Sequence, residues 1–238
     1  MHEIANHKSQ IANSAVEHLR VFCDFDGTIS TVDVTDYILQ NLADPSWLEI
    51  EARWERGEIG SRECMALQIA LIKGGWTSIR ELLHEVKLDP TFKPFVAWCA
   101  EKKIPLVVVS EGMDRVIHYL LRRDGIKPDA IWANRLCEDA HGKLVLEFPW
   151  QSLDERICNA GLCKCRVLER THEQSFNVVI GDGNSDRCWA KHATFVAAKS
   201  KLLLHCRKNN IPCHPFEDFN MVRESLKQLL HRRAAKNT

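Results

Sequence analysis

Neither sign of charge is in excess in this chain of 238 residues: 32 lysines and arginines are matched by 32 aspartates and glutamates, a formal net charge of +0. With no overall basic or acidic bias, nothing pulls the whole molecule toward nucleic acid or an anionic membrane, and neither is expected as a partner. Long hydrophobic runs are missing too. Runs such as Val107–Val109 and Ile69–Ile72 fall far short of the roughly 20 apolar residues that cross a bilayer. Met1–Arg20 is polar and has no apolar h-region, so it does not read as a secretory signal; a helical or frayed extension ahead of the first strand is expected there. Cysteine is present but thin. Ten in this length is below the density of a disulfide scaffold, and reduced thiols in the cytoplasm are the expectation.

What is present is one pattern, three times over. A short apolar run stops at a polar residue beside a glycine: Val21-Phe22-Cys23 into Asp24-Phe25-Asp26-Gly27-Thr28, Leu106–Val109 into Ser110-Glu111-Gly112, and Val178-Val179-Ile180 into Gly181-Asp182-Gly183-Asn184-Ser185-Asp186. Unbroken Val/Ile runs bounded by turn residues predict strands buried on both faces, as in a parallel sheet. Ligands of open α/β sheets gather at the carboxyl ends of the strands. If these three strands are parallel neighbours, Asp24, Asp26, Ser110 and Asp182 share one small site.

Between the first two runs the spacing predicts only helices: Val32–Leu42, then segments around Trp47–Trp54 and Cys64–Ile72, punctuated by Gly57, Gly60 and Gly74-Gly75. Helices are expected over Thr91–Lys103, Met113–Arg123, Lys164–His172, Ser185–His192, Leu202–Asn209 and Met221–Arg232. Further strands are expected at Ala130–Asn134, Phe176–Ile180 and Thr194–Ala197, with an extended piece over Leu144–Phe148. Strands alternating with helices call for an α/β fold with a doubly wound parallel sheet. A small helical insert would follow its first strand.

Two carboxylates at i and i+2 just past a strand can serve one site if the chain turns, which Gly27 allows. One can attack phosphorus and the other can move protons. Alone, such a pair is equally at home in a turn or a helix cap. Asp182 and Asp186 bracket a glycine-rich turn, and Mg²⁺ needs only one or two carboxylates besides the phosphate; a solvated helix start would look the same. Ser110-Glu111-Gly112 is expected to open a helix whose N–H groups hold phosphate oxygens. Lys164 could neutralise that charge or be an ordinary surface lysine. Cys137, Cys158, Cys163 and Cys165 could be a thiolate metal site or ordinary buried thiols.

D-F-D-G-T, a strand-end serine, a lone lysine and G-D-G-N-S-D, in this order, resemble the four motifs of the haloacid dehalogenase superfamily of phosphatases, over roughly Val21 to Phe219. The resemblance implies that Asp24 is the nucleophile and Asp26 the general acid/base. It implies that Thr28, Ser110, Glu111, Gly112 and Lys164 bind phosphate, and that Asp24, Asp26 and Asp182 hold Mg²⁺, with Asp186 and Asn184 in support. Residues 31–89 would form a cap of the phosphoserine-phosphatase-like branch on a core made of residues 1–30 and 90–238.

Within that branch the features are similar to the methionine-salvage phosphatases. Asp33 stands nine residues past the nucleophile, where phosphoserine phosphatases have a glutamate, and Arg62 is the candidate cap arginine. Both families place an arginine in the second cap helix, where this chain has Leu67 and Gln68. The second motif, usually Ser-Gly-Gly, here contains Glu111. The expected function is a Mg²⁺-dependent phosphomonoesterase for a small soluble phosphate, the methionine-salvage substrate first. Phosphoserine, a phosphocholine-like amine, or phosphotransfer from the same residues are the alternatives, and a binding protein that has lost activity is the other class. Oligomeric state is not legible, a homodimer being compatible with all of this.

Overall fold

The apolar runs around Val21, Val107 and Val178 become adjacent parallel strands. In the computed structural model, which describes residues 19–152, 158–169 and 176–236, seven strands form one sheet. They are β1 Leu19–Cys23, β2 Leu106–Met113, β3 Ala130–Glu138, β4 Leu144–Glu147, β5 Phe176–Gly181, β6 Phe195–Ala198 and β7 His214–Pro215, in the order β4-β3-β2-β1-β5-β6-β7. All neighbours are parallel except β3 and β4. Phe22 lies opposite Val107 on one side and Val179 on the other, so β1 is central. The extension expected over Met1–Arg20 falls, up to residue 18, outside the described residues, as does the end of the helix expected over Lys164–His172.

Period-2 alternation sorts side chains to the two faces. Val21, Cys23, Val108, Val178 and Ile180 enter a large core shared with α5 (Phe92–Glu101), α6 (Asp114–Arg123) and α10 (Phe219–Lys236). Phe22, Val109 and Val179 pack on the other face against Val167 and Leu168 of α7 (Lys164–Glu169) and Trp189 of α8 (Arg187–Ala190). Leu202 and Cys206 of α9 (Ser200–Lys208) cover Val196 and Ala198 of β6. Helices on both faces make the sheet doubly wound, as expected from the alternation.

Between β1 and β2 lie α1 (Val34–Leu42), α2 (Trp47–Glu55), α3 (Ser61–Ile69) and α4 (Gly75–Leu82). The segment leaves and returns at one stem: Thr31 N–H bonds the Lys87 carbonyl at 3.0 Å and Asp89 N–H the Ile29 carbonyl at 2.8 Å. Ile38, Ile69 and Ile79 join the same core as the sheet. Trp76 meets Tyr119 of α6 edge-on, with Arg115 above its ring at 4.2 Å.

Three expectations change. The segment Ser110-Glu111-Gly112 does not open a helix. β2 continues through it to Met113 with a register shift against β3. The cause is local: the Gly112 N–H turns back onto the Ser110 hydroxyl at 2.8 Å, bulging the strand, and α6 starts at Asp114. The helix expected over Ser185–His192 shrinks to Arg187–Ala190, because His192 N–H closes onto the Trp189 carbonyl at 2.9 Å as the chain turns toward β6. β3 runs past Asn134 to Glu138, where β4 pairs with it antiparallel. No helix among the described residues is long and apolar enough to cross a membrane.

Candidate active site

β1, β2 and β5 end on the same edge, and their terminal polar residues meet there. The Asp24 N–H still bonds the Ile180 carbonyl of β5 at 2.9 Å, which keeps the first acid beside the third motif. Gly27 then takes φ 68°, open to glycine at little cost. Space demands glycine as well, since a Cβ there would sit 2.7 Å from Asp182 Oδ2. The Thr28 hydroxyl donates to Asp182 Oδ1 at 2.9 Å, so the first motif orients the acid of the last.

Lys164 is the hub. Its side chain is fully buried, and Nζ donates to Asp24 Oδ1 at 2.7 Å, Asp186 Oδ1 at 2.7 Å and Ser185 Oγ at 3.1 Å. Burial works against its charge, but the Asp186 and Asp24 carboxylates outweigh burial and hold its pKa above the ordinary lysine value. Asp186, also fully buried, accepts the Asp182 and Gly183 N–H groups on Oδ2, both at 3.0 Å. A Cβ on Gly181 would collide with that carboxylate.

Asp26 faces the second motif. Its Oδ1 accepts the Val34 N–H at 2.9 Å and its Oδ2 the Ser110 hydroxyl at 3.2 Å. Burial, with the negative charge of Asp33 next, raises its carboxyl to about 7. Burial also pushes Asp24 up, as does Asp186, while the Lys164 ammonium opposes both. Asp182 is raised by burial, against its bond from Thr28. A Cβ on Gly112 would come within 2.7 Å of Asp26 Oδ2, so the backbone of the second motif approaches the acid as only glycine allows.

One oxygen each from Asp24, Asp182 and Asp186 lies within 4.8 Å of the others, the one such set of His, Cys, Asp or Glu groups among the described residues. Asp186 spends both oxygens on Lys164 and on backbone N–H groups, whereas Oδ2 of Asp24 and Oδ2 of Asp182 carry no such bond among the described residues. Two hard, anionic oxygens left over in a buried cluster suit a small divalent cation.

The other expected residues land as follows. Asp33 caps α1 through a bond from the Asp36 N–H at 2.9 Å and lies near enough to act on Asp26. Arg62 donates from Nη1 to Gln151 Oε1 at 2.5 Å. Asn184 is exposed and lends its carbonyl to the α8 turn. The Glu111 carboxylate takes the Ser61 hydroxyl of α3 at 3.0 Å. All ten cysteines are free of disulfides. Cys158 lies beside Cys163, and Cys165 beside Cys188, but these thiols form no ligand set of three among the described residues. Sequence reasoning passed over Ser185 on Lys164, although it stands inside the G-D-G-N-S-D string. It also passed over Ser61, which nothing in the sequence marks.

A family model for haloacid dehalogenase-like hydrolases matches residues 21–191, from within β1 to just past α8, with every residue just placed around Lys164. The chain belongs to the haloacid dehalogenase-like hydrolases. Among curated relatives, the 2-hydroxy-3-keto-5-methylthiopentenyl-1-phosphate phosphatase of Bacillus cereus (strain AH820) is 31% identical over 218 residues, 89% of this chain and 97% of that protein. Solved phosphoserine phosphatases share this haloacid dehalogenase-like fold. A substrate-bound complex aligns with TM-score 0.63 at 19% identity over 89% of this chain and 97% of the other. The enzyme from T. onnurineus aligns with TM-score 0.65 at 16% identity over 88% and 94%. Within its family the protein is a phosphatase.

Proposed function

We propose that this phosphatase hydrolyses 2-hydroxy-3-keto-5-methylthiopentenyl-1-phosphate, the step of methionine salvage carried out by its relatives, through a phosphoaspartate on Asp24. The observation that carries the reading is the placement of Asp24, held by Lys164 at 2.7 Å with its other oxygen clear beside Asp182. The curated relatives support this substrate, and they are matched over nearly their whole length.

Asp24 attacks phosphorus as the ester P–O bond breaks, and the leaving oxygen takes the proton of Asp26. Water then attacks the phosphoaspartate, gives its proton to Asp26 and releases phosphate. With its carboxyl raised to about 7, Asp26 can give and take a proton near neutrality. The Lys164 ammonium and the Ser110 hydroxyl hold phosphate oxygens, with the Gly112 N–H and Thr28 beside them. Mg²⁺ held by Asp24, Asp182 and the Asp26 carbonyl would supply the positive charge that lets two anions meet. Residues 31–89 act as a cap that keeps water out and selects the substrate, with Asp33 at the mouth. An enclosed site of this kind suits small soluble phosphates rather than proteins.

Phosphate release in millimolar Mg²⁺ tests the reading, with the methylthiopentenyl phosphate, phosphoserine, phosphocholine and phosphoethanolamine offered one at a time. The first should give the highest kcat/KM; a higher value for phosphoserine or an amine ester overturns the substrate. Added alcohols or nucleosides should not be phosphorylated, and a phosphorylated acceptor would make the enzyme a transferase. Chelation with EDTA should remove turnover and added Mg²⁺ restore it; full activity in EDTA refutes the cation. Asp26→Asn keeps size and most hydrogen bonds but loses the proton. It should lower kcat by about 10²- to 10⁴-fold, and a smaller loss would assign the proton elsewhere.

A further inference from the structure

Glu111 stands where its motif usually has glycine, and an anion beside a phosphate site repels the substrate unless it is engaged elsewhere. Its carboxylate is engaged on the cap. Oε2 accepts the hydroxyl of Ser61, the first residue of α3, at 3.0 Å, and the Gly161 N–H faces the same group. Its backbone carbonyl is gripped by the buried Asn134 side chain of β3. Gly161 can approach only because it lacks a Cβ, which would meet Phe148 at 2.7 Å and Asn134 Nδ2 at 3.0 Å. Three segments therefore converge on one side chain: the phosphate-facing end of β2, the start of α3, and the loop that delivers Lys164.

The neighbouring residues of the cap reinforce the junction. The Arg62 N–H bonds the Asn159 carbonyl at 3.4 Å, Arg62 Nη1 bonds Gln151 Oε1 at 2.5 Å, and a Cβ on Gly60 would press on the Asn159 side chain at 2.9 Å. Gly60, Ser61 and Arg62 thus dock together on the core, and Ser61 reaches a residue that adjoins the phosphate-binding Ser110.

Resting on the phosphatase reading above, we infer that Glu111 is a positioning residue: its bond to Ser61 latches the closed cap to the phosphate-binding strand, so that α3 and Ser110 move as one unit. The bond is charge-assisted and partly buried, the class whose loss costs roughly tenfold or more in an equilibrium. It couples substrate selection by the cap to phosphate binding below it.

Hydrogen exchange of the α3 amides in the full-length protein reads the latch directly, because local opening sets the exchange rate. Ser61→Ala and Glu111→Ala should each speed exchange over residues 61–69 by about tenfold. The double variant should be no faster than either, since both changes break one bond. Glu111→Gln should keep most of the protection, its amide oxygen still accepting from Ser61. In kinetics, Ser61→Ala should raise KM for the methylthiopentenyl phosphate by about tenfold, while p-nitrophenyl phosphate, which asks little of the cap, keeps its kcat/KM. Wild-type exchange in Ser61→Ala, or additive effects in the double variant, overturns the inference. So does a loss of inhibition by inorganic phosphate in Glu111→Ala but not Ser61→Ala, which would make Glu111 a phosphate contact. If wild-type protein hydrolysed no phosphate ester, the proposed function would fall while the exchange data still decided the latch.

Discussion

Asp24→Asn should leave a folded protein with no measurable phosphatase activity, a loss of at least about 10⁴-fold in kcat. The substitution changes one oxygen to an amide nitrogen and nothing in size, so the packing around β1 survives. It removes the anion proposed to attack phosphorus and one of the two carboxylate oxygens left clear beside each other in the cluster. The other three aspartates around Lys164 and Ser110 are each engaged elsewhere by hydrogen bonds. Asp186 has both oxygens committed, and Asp26 is turned to Val34 and Ser110. Asp182 is held by the Thr28 hydroxyl with its side chain against Gly27. Kinetics with p-nitrophenyl phosphate, together with circular dichroism to verify the fold, check the result. Turnover within tenfold of wild type would remove Asp24 from the chemistry.

Lys164→Met should damage stability as well as activity. The side chain volume is nearly kept, but Asp24 and Asp186 lose a cation that both touch at 2.7 Å. Breaking a buried ion pair by removing one partner destabilises by about 3–5 kcal/mol, because uncompensated charge stays in a low-dielectric interior. For a chain of this size that corresponds to a fall in Tm of roughly 6–20 °C. The loss should be smaller at lower pH, because burial raises the Asp24 carboxyl and its protonation removes one of the uncompensated charges, and smaller in millimolar Mg²⁺ if a cation replaces the ammonium. Thermal melts with and without Mg²⁺ check both statements. An unchanged Tm would mean that the lysine contributes only to catalysis. Activity should fall with it, since the same ammonium is proposed to hold phosphate.

The strand-end acids are legible because local grammar is strong there. A β-branched run that stops at Asp-x-Asp-Gly or Gly-Asp-Gly can be a buried parallel strand and little else. Lys164 carries no such signal: it lies in a short helix, and only its burial between Asp24 and Asp186 separates it from a surface lysine. Ser110 is legible by position and misleading about its backbone. Its context reads as a helix start, yet the Gly112 N–H bends back to its hydroxyl and the strand continues to Met113. Ser61 is out of reach altogether, since a serine opening a helix is an ordinary cap and its partner, Glu111, is 50 positions away in the chain.

Sequence alone determined the alternation of strands and helices, the helical insert after β1 and the polar residues at three strand ends, because those follow from period, turn residues and short-range order. Tertiary structure alone decided which oxygens remain clear of hydrogen bonds among the described residues, that Lys164 is shared by two carboxylates, and that Glu111 bonds Ser61 of α3. Such facts depend on through-space contacts between segments distant along the chain, and no local pattern of residues encodes a distance.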